Sequence, residues 1–473
     1  MTARGRNASI ADWPERVQWR RRRRHSKPNV LADTPPSLPP PRVIPREQHS
    51  ISRKQISPNA LRVLYRLHEA GFAAYLVGGA VRDLLIGGAP KDFDVATDAT
   101  PEQVKQLFRN CRLIGRRFRL AHVLFGPEII EVATFRASSD DGTGEREMDN
   151  GRLVRDNVYG SIEDDAFRRD FTANALYYAI ADFSVRDFVG GFEDVQQRTL
   201  RLIGDPEQRY REDPVRMLRA VRLAAKLGFD IEAATAAAIP PLARLLTEAS
   251  SARLFDECQK LFFSGHAEAS LLGLERHGLL SAIFPDAAAA LAADASGRCR
   301  AMLLNAMRGT DWRIAEGRSV TPTFLFAALL WPAFASHVQQ LLAEGHPLAV
   351  SEQRAADRII LRQCERVAIP RRFSQPMEEL WFLQSRMTTR QRKRVFRVLA
   401  HPRFRAAYDF LELRASVVPE LAGEAAFWRD AQGGDAALLE RRLAEAAVQV
   451  PTAAPGKRPR RRRRSRGEQP STE

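Results

Sequence analysis

The sequence predicts an α+β protein with a small mixed-sheet head, all-helical neck and body domains, and disordered basic tails. Three observations carry that prediction. Short apolar runs broken by glycine are confined to about residues 46–195, as strands and tight turns require. Beyond residue 195, long Ala/Leu/Arg-rich stretches with helical spacing take over. Both ends of the 473-residue chain are rich in arginine and proline and offer little apolar surface to bury.

Taken in order, residues 1–45 read as a disordered basic, proline-rich arm, with structure expected from near Ser50. Ser57-Pro58 is a helix start, the serine as N-cap and the proline at the first helical position. Leu61, Leu64 and Leu67 continue it, and Gly71 stops it. Ala74 to Val77 is a buried strand ending at Gly78-Gly79, Ala80 to Leu85 is helical, and Phe93 to Ala96 is a second strand. Thr100-Pro101-Glu102 opens another helix, and Leu120 to Phe125 with Ile129 to Phe135 form a hairpin around Gly126-Pro127. Ala137 to Arg152 is polar and glycine-rich, a flexible loop. The head is assigned to 46–195, the neck to 196–270, the body to 271–450 and an Arg-rich tail to 451–473.

Charge narrows the function. Of a net +16, residues 1–30 hold +7 and residues 451–473 hold +6, leaving about +3 for the globular middle. Solvated blocks of one sign attract polyphosphate, so nucleic acid is the implied partner. Four scattered cysteines, none in a CxxC pair, argue against a disulfide scaffold or zinc ribbon and fit a reducing cytoplasm. The apolar run Phe324 to Trp331 is too short to span a bilayer and meets Pro332, so no transmembrane segment is expected. No apolar core follows Arg20 to Arg24, which excludes an export signal there.

Chemistry points to Lys91-Asp92-Phe93-Asp94-Val95-Ala96-Thr97. Alternate residues of a strand share a face, so Asp92 and Asp94 project together while Phe93 turns inward. Such carboxylates repel unless a cation such as Mg²⁺ lies between them. Glu131, on a strand that could lie alongside, would complete a two-metal site. Alone, a DxD is more often a turn or a solvated edge. Upstream, Gly78 and Gly79 allow close backbone approach to a phosphate, and Arg82 adds positive charge, although Gly-Gly also makes a plain turn. Arg168-Arg169-Asp170 with Asn174 could clamp a triphosphate and ribose, or simply cap a helix. Asp213-Pro214 starts a helix in which Glu212 and Arg216 pair; Asp213 and Arg216 could also read a base edge.

In order, LVGGAVRD, DFDVAT, RRDFTANAL and REDPVRMLRAVR resemble the class II branch of the polymerase-β-like nucleotidyltransferases: bacterial poly(A) polymerases and CCA-adding tRNA nucleotidyltransferases. The resemblance implies a nucleotidyltransferase head in which Asp92 and Asp94 bind Mg²⁺ or Mn²⁺, supported by Glu131 and Asp170. It places Arg168 and Arg169 on the nucleotide and Asp213 with Arg216 on its base. Stretches 113–123, 42–54 and 401–411 look like the poly(A) polymerase side, extending the resemblance over most of 42–411. It departs from the family at Ala80 and Ala173, both small changes. Arg116 and Arg117, and Arg460, Arg461, Arg462, Arg463 and Arg464 in the tail, are candidate RNA contacts. The expected reaction is addition of AMP from ATP to RNA 3′ ends in the cytoplasm, in mRNA processing and RNA turnover, with RNA-degradation machinery as a further partner. A CCA-adding enzyme and a non-catalytic RNA-binding protein on the same fold are the alternatives. His122, in an apolar run, is assigned no catalytic role.

Overall fold

The computed structural model describes residues 41–115, 119–137, 146–149, 152–156, 158–433, 439–441 and 443. Arg116, Arg117 and Arg460 to Arg464 lie outside them, as do the expected disordered arm up to residue 40 and the tail.

Eight strands form one mixed sheet: β1 (Arg42–Ile44), β2 (Ala74–Val77), β3 (Asp94–Thr97), β4 (Cys111–Ile114), β5 (Leu120–Phe125), β6 (Glu128–Thr134), β9 (Leu176–Ala179) and β10 (Val185–Asp187). Their spatial order is β1-β10-β9-β2-β3-β6-β5-β4. Every pairing is antiparallel except β3 with β6. That pair is parallel because helix α3 (Pro101–Leu107) and the strands β4 and β5 intervene as a crossover. A separate antiparallel ribbon joins β7 (Arg146–Asp149) to β8 (Arg152–Asp156), so part of the expected flexible loop is a hairpin.

Local rules place the helices that flank the sheet. Ser57 caps α1 (Pro58–Glu69), and Thr100 with Gln103 forms a capping box on α3. Helix α2 (Gly79–Leu85) follows β2 directly. Strand β1 corrects the arm assignment, since Val43 pairs with Arg186 and Ile44 is fully buried. The edge exists only once residues 185–187 are in place, so no local pattern in 42–44 announces it. Strand β3 begins at Asp94, leaving Asp92 in the segment just before it.

Helices then accumulate. They are α4 (Ile162–Arg168), α5 (Gly191–Gln196), α6 (Pro206–Glu212), α7 (Val215–Leu227), α8 (Ala233–Ala237), α9 (Ile239–Leu242) and α10 (Ser251–Phe262). The short strands β11 (Thr199–Leu200) and β12 (Asp230–Ile231) pair in parallel across this region. Next come α11 (Ala267–Arg276), α12 (Leu280–Ile283), α13 (Pro285–Ala293), α14 (Arg298–Ala315) and α15 (Pro322–Ala343). The last are α16 (Leu348–Arg366), α17 (Arg371–Arg386), α18 (Arg392–Leu399), α19 (Phe404–Ala415) and α20 (Ala422–Ala431).

Helix α15 overturns the expectation of a short run ended by Pro332, because it continues through that residue for 22 residues. It is long and apolar enough to cross a membrane, yet 61% of its most apolar window is buried within the protein. An interior proline costs a helix about 3 kcal/mol. Aromatic packing on both sides offsets that cost: Phe334 stacks on Trp381 at 4.5 Å and Trp331 meets Phe410 edge-on at 5.4 Å.

Candidate active site

Strand register builds a row of side chains across the sheet. Tyr177 lies opposite Val77, Val77 opposite Asp94, Asp94 opposite Glu131, Glu131 opposite His122, and His122 opposite Arg112. Residues in register project from one face. One end of that face is covered, since Val77 and Tyr177 pack with Ala166 of α4. Asp94 stays exposed, with Glu131 and His122 partly so. His122 Nε2 sits 3.3 Å from Glu131 Oε2.

The surroundings leave Asp94 a weak acid. Desolvation, then the charge of Glu131, push its pKa up to about 6; Arg169 opposes the rise and Asp92 adds to it. Among the described residues no three His, Cys, Asp or Glu side chains stand close enough to hold a metal by themselves. Mg²⁺ commonly takes one or two carboxylates and completes its shell with water and substrate phosphate. Asp94 and Glu131 fit that mode, for a cation between them would relieve a repulsion that the fold otherwise carries.

The glycine turn stands beside this row. Gly78 has φ +75°, a conformation only glycine adopts freely, and a Cβ there would lie 3.5 Å from Arg169 Nη1. Arg169 Nη2 and Nε donate to Asp165 Oδ2 at 3.0 and 3.2 Å, and Nε also donates to the Tyr177 hydroxyl at 3.0 Å. Arg82, expected to add positive charge beside the turn, is 3% exposed. It donates to Asp83 Oδ1 at 2.9 and 2.6 Å and to the Asn174 side-chain oxygen. Gly79 lies against the Arg82 guanidinium, 3.3 Å from where a Cβ would be.

Asn174 passes the chain of bonds onward, donating to Asp170 Oδ1 at 3.3 Å. Asp170 in turn accepts from Arg219 of α7 through Nε at 2.8 Å and Nη2 at 2.5 Å. Burial alone would raise the Asp170 pKa, but Arg219 and the hydrogen bonds from Asn174 and the Phe171 N–H outweigh it and hold the carboxyl low. The same junction has a second clasp, in which Arg209 of α6 donates to the carbonyls of Arg168 and Arg169 at 3.0 and 2.5 Å. Neither Arg209 nor Arg219 stood out in the sequence; the signal for Arg219 was its i+3 spacing from Arg216 in REDPVRMLRAVR.

At the α6–α7 corner, α7 begins at Val215, one residue later than expected, with Pro214 preceding it. Asp213 Oδ1 accepts from the Val215 N–H at 3.2 Å, and its Oδ2 accepts from Arg253 at 2.5 Å. Arg216 donates to Glu212 at 2.9 Å and to the Arg209 carbonyl at 2.7 Å. Arg216 is therefore partnered within the corner, and Asp213 both within it and by Arg253 of α10.

The family model for the poly(A) polymerase head domain matches residues 74–201, the span that contains this row. Two more match in order: the probable RNA and SrmB-binding site of polymerase A at 228–291, and the polymerase A arginine-rich C-terminus at 344–467. Poly(A) polymerase I of Salmonella typhimurium is 51% identical over 397 residues, covering 82% of this chain and 85% of its own length. The chain belongs to the poly(A) polymerase family. A CCA-adding enzyme of Bacillus subtilis is 42% identical, but over only 43% of this chain. A solved tRNA-processing enzyme in its apo form shares the fold, with TM-score 0.56 and 20% identity over 81% of this chain and 99% of its own. This family member is thus a nucleotidyltransferase that acts on nucleotide and RNA substrates, and Asp94 and Glu131 lie within its matched head domain.

Proposed function

We propose that this enzyme extends RNA 3′ ends with AMP from ATP, without a template, at a two-metal site on Asp92, Asp94 and Glu131. The observation that supports this most is the parallel register of Asp94 with Glu131, with Asp92 two residues upstream on an exposed approach. A bound divalent metal would activate the 3′ hydroxyl and neutralise the triphosphate. The hydroxyl attacks the α-phosphorus in line, forming one P–O bond while the bond to pyrophosphate breaks.

The chain's own residues do the positioning. Gly78 and Gly79 let the backbone approach the phosphates. Arg82, Arg168, Arg169 and Asn174 border the nucleotide, and Arg82 and Arg169 stiffen the glycine turn from behind. Asp170 supports the site through Asn174 and anchors it to the neck helix. Asp213 and Arg216 stand where the base would be read, which requires a local exchange of their present partners. The body and the basic tails hold RNA, and α18 supplies a basic exposed surface: Arg392, Lys393, Arg394 and Arg397 with exposed Phe396. In this reading the enzyme works in the cytoplasm in mRNA polyadenylation and RNA turnover, beside degradation machinery.

Extension of a labelled RNA with Mg²⁺ and each nucleotide in turn tests this. A long ladder with ATP alone, abolished in Asp92→Ala and Asp94→Ala while RNA binding persists, is the expected result. Addition that stops after a few nucleotides and requires CTP would replace the reading with CCA addition. Full activity in either variant would remove the metal site.

A further inference from the structure

The helical body holds a cavity of roughly 260 Å³ that nucleotidyl transfer does not use. It lies among α15, α16, α17, α19 and the start of α20, and its size is close to the small end of ligand pockets, ~300 Å³. Its wall is aromatic, with Trp331 and Phe334 from α15 and Trp381 from α17.

One wall residue, Arg414, differs from the half-buried arginines around the site region. Arg169, Arg219 and Arg222 pair with Asp165, Asp170 and Glu257 respectively. Arg414, on α19, has no carboxylate within ion-pair distance among the described residues. Its guanidinium lies 4.4 Å from the centre of the Trp331 ring and donates to Gln384 Oε1 at 3.1 Å. The two acids of the cavity are engaged elsewhere: Glu424 pairs with Arg390 at 2.5 Å, and Glu352 lies by Ser385 and Arg386. Burial, unopposed by any acid, pulls the Arg414 pKa down to about 10. A desolvated cation without a counter-charge is costly, and an anion is what relieves it.

We propose that this cavity binds a small organic anion with a flat aromatic body, its negative group on Arg414 and its ring among Trp331, Phe334 and Met387. Aromatic faces favour a planar ring, and the sulfur of Met387 adds a polarisable edge. A guanidinium fork favours carboxylate or phosphate. A nucleoside monophosphate unites both features, as does an aromatic carboxylate. The site lies in the helical body, on elements separate from those that carry Asp94 and Glu131.

Thermal unfolding of the full chain with AMP, adenosine, inorganic phosphate and benzoate tests the proposal. AMP or benzoate at ten times its Kd is expected to raise Tm by about 2 °C. Adenosine lacks the charge and inorganic phosphate lacks the ring, so both should do less. Arg414→Met should abolish the response. Ala335→Phe, which fills the cavity and leaves Arg414 in place, should abolish it too and decides the matter if Arg414→Met does not fold. Both variants should retain basal AMP addition. Shifts that persist in either folded variant would place the ligand elsewhere, in the head for example. No shift with AMP or benzoate, or an equal shift with adenosine, would also overturn the proposal.

Discussion

Asp170 in the head and Arg219 in helix α7 are joined by two hydrogen bonds, at 2.8 and 2.5 Å, across 49 residues of chain. This pair ends the run of bonds that starts at the glycine turn and passes through Arg82 and Asn174. Arg219→Met leaves the largely buried Asp170 carboxylate without its counter-charge, with only the donors of Asn174 and the Phe171 N–H. Removing one member of a buried pair costs about 3–5 kcal/mol, and the partial exposure of Arg219 places this case at about 2–3 kcal/mol. Denaturant unfolding should show it, and unchanged stability would mean that the junction is held by Arg209 alone.

The same pair has a pH signature. The Asp170 carboxyl is held below its ordinary value, so its contribution is complete above the unfolded pKa and disappears as pH falls through the folded one. Wild type should therefore lose stability below about pH 4 more steeply than Arg219→Met. Parallel acid profiles would contradict this.

Asp94 behaves in the opposite sense. Its folded pKa, about 6, lies above the ordinary carboxylate value, so the contribution of its protonated form is lost as pH rises through about 6. In metal-free protein at pH 8, Asp94→Asn should raise stability, by less than about 1 kcal/mol because the side chain remains exposed. Below pH 4 the two proteins should match. Mg²⁺ affinity of the wild type, read by calorimetry, should fall as pH drops below about 6.

Gly78→Ala forces a side chain into φ +75°, at a cost of about 1–3 kcal/mol. The added methyl meets Arg169 at ordinary contact distance, so strain rather than collision is the main effect. A lower Tm together with slower ATP use is expected; a variant equal to wild type in both would show that the turn tolerates another backbone.

Replacing Lys393, Arg394 and Arg397 of α18 with alanine should weaken RNA binding and flatten its salt dependence by about 2 in the log–log slope, at ~0.7 per phosphate contact. Phe396→Ala should weaken binding without changing the slope, since stacking carries no charge. Unaltered binding in the triple variant would direct RNA to another surface.

Where the chain's local rules are strong, the sequence was readable. The strand Ala74–Val77 follows from an apolar run closed by two glycines, and α1 and α3 from Ser57 and Thr100 beside prolines. The pairing of Asp94 with Glu131 was legible only as a possibility, because register is decided by a crossover 30 residues long. The charge of Arg82 was legible beside the glycine turn, but its burial against the side-chain oxygens of Asp83 and Asn174 was not, because those partners are set by the tertiary fold. Pro332 misled through its helix-breaking reputation, overridden by Phe334 on Trp381. The roles of Arg219 and Arg414 were not legible, because they depend on which acid, if any, the fold brings to them.

Strand β1 sets an order of events at the ribosome. Residues 42–44 emerge early, yet their partner, 185–187, is made more than 140 residues later. At synthesis rates of about 5–20 residues per second, the first strand waits roughly 7–30 seconds before it can dock. During nearly all of that interval neither β9 nor β10 has been made. The earliest-made strand of the head is thus among the last to be fixed, which exposes its backbone to any other strand edge nearby until synthesis has passed residue 187.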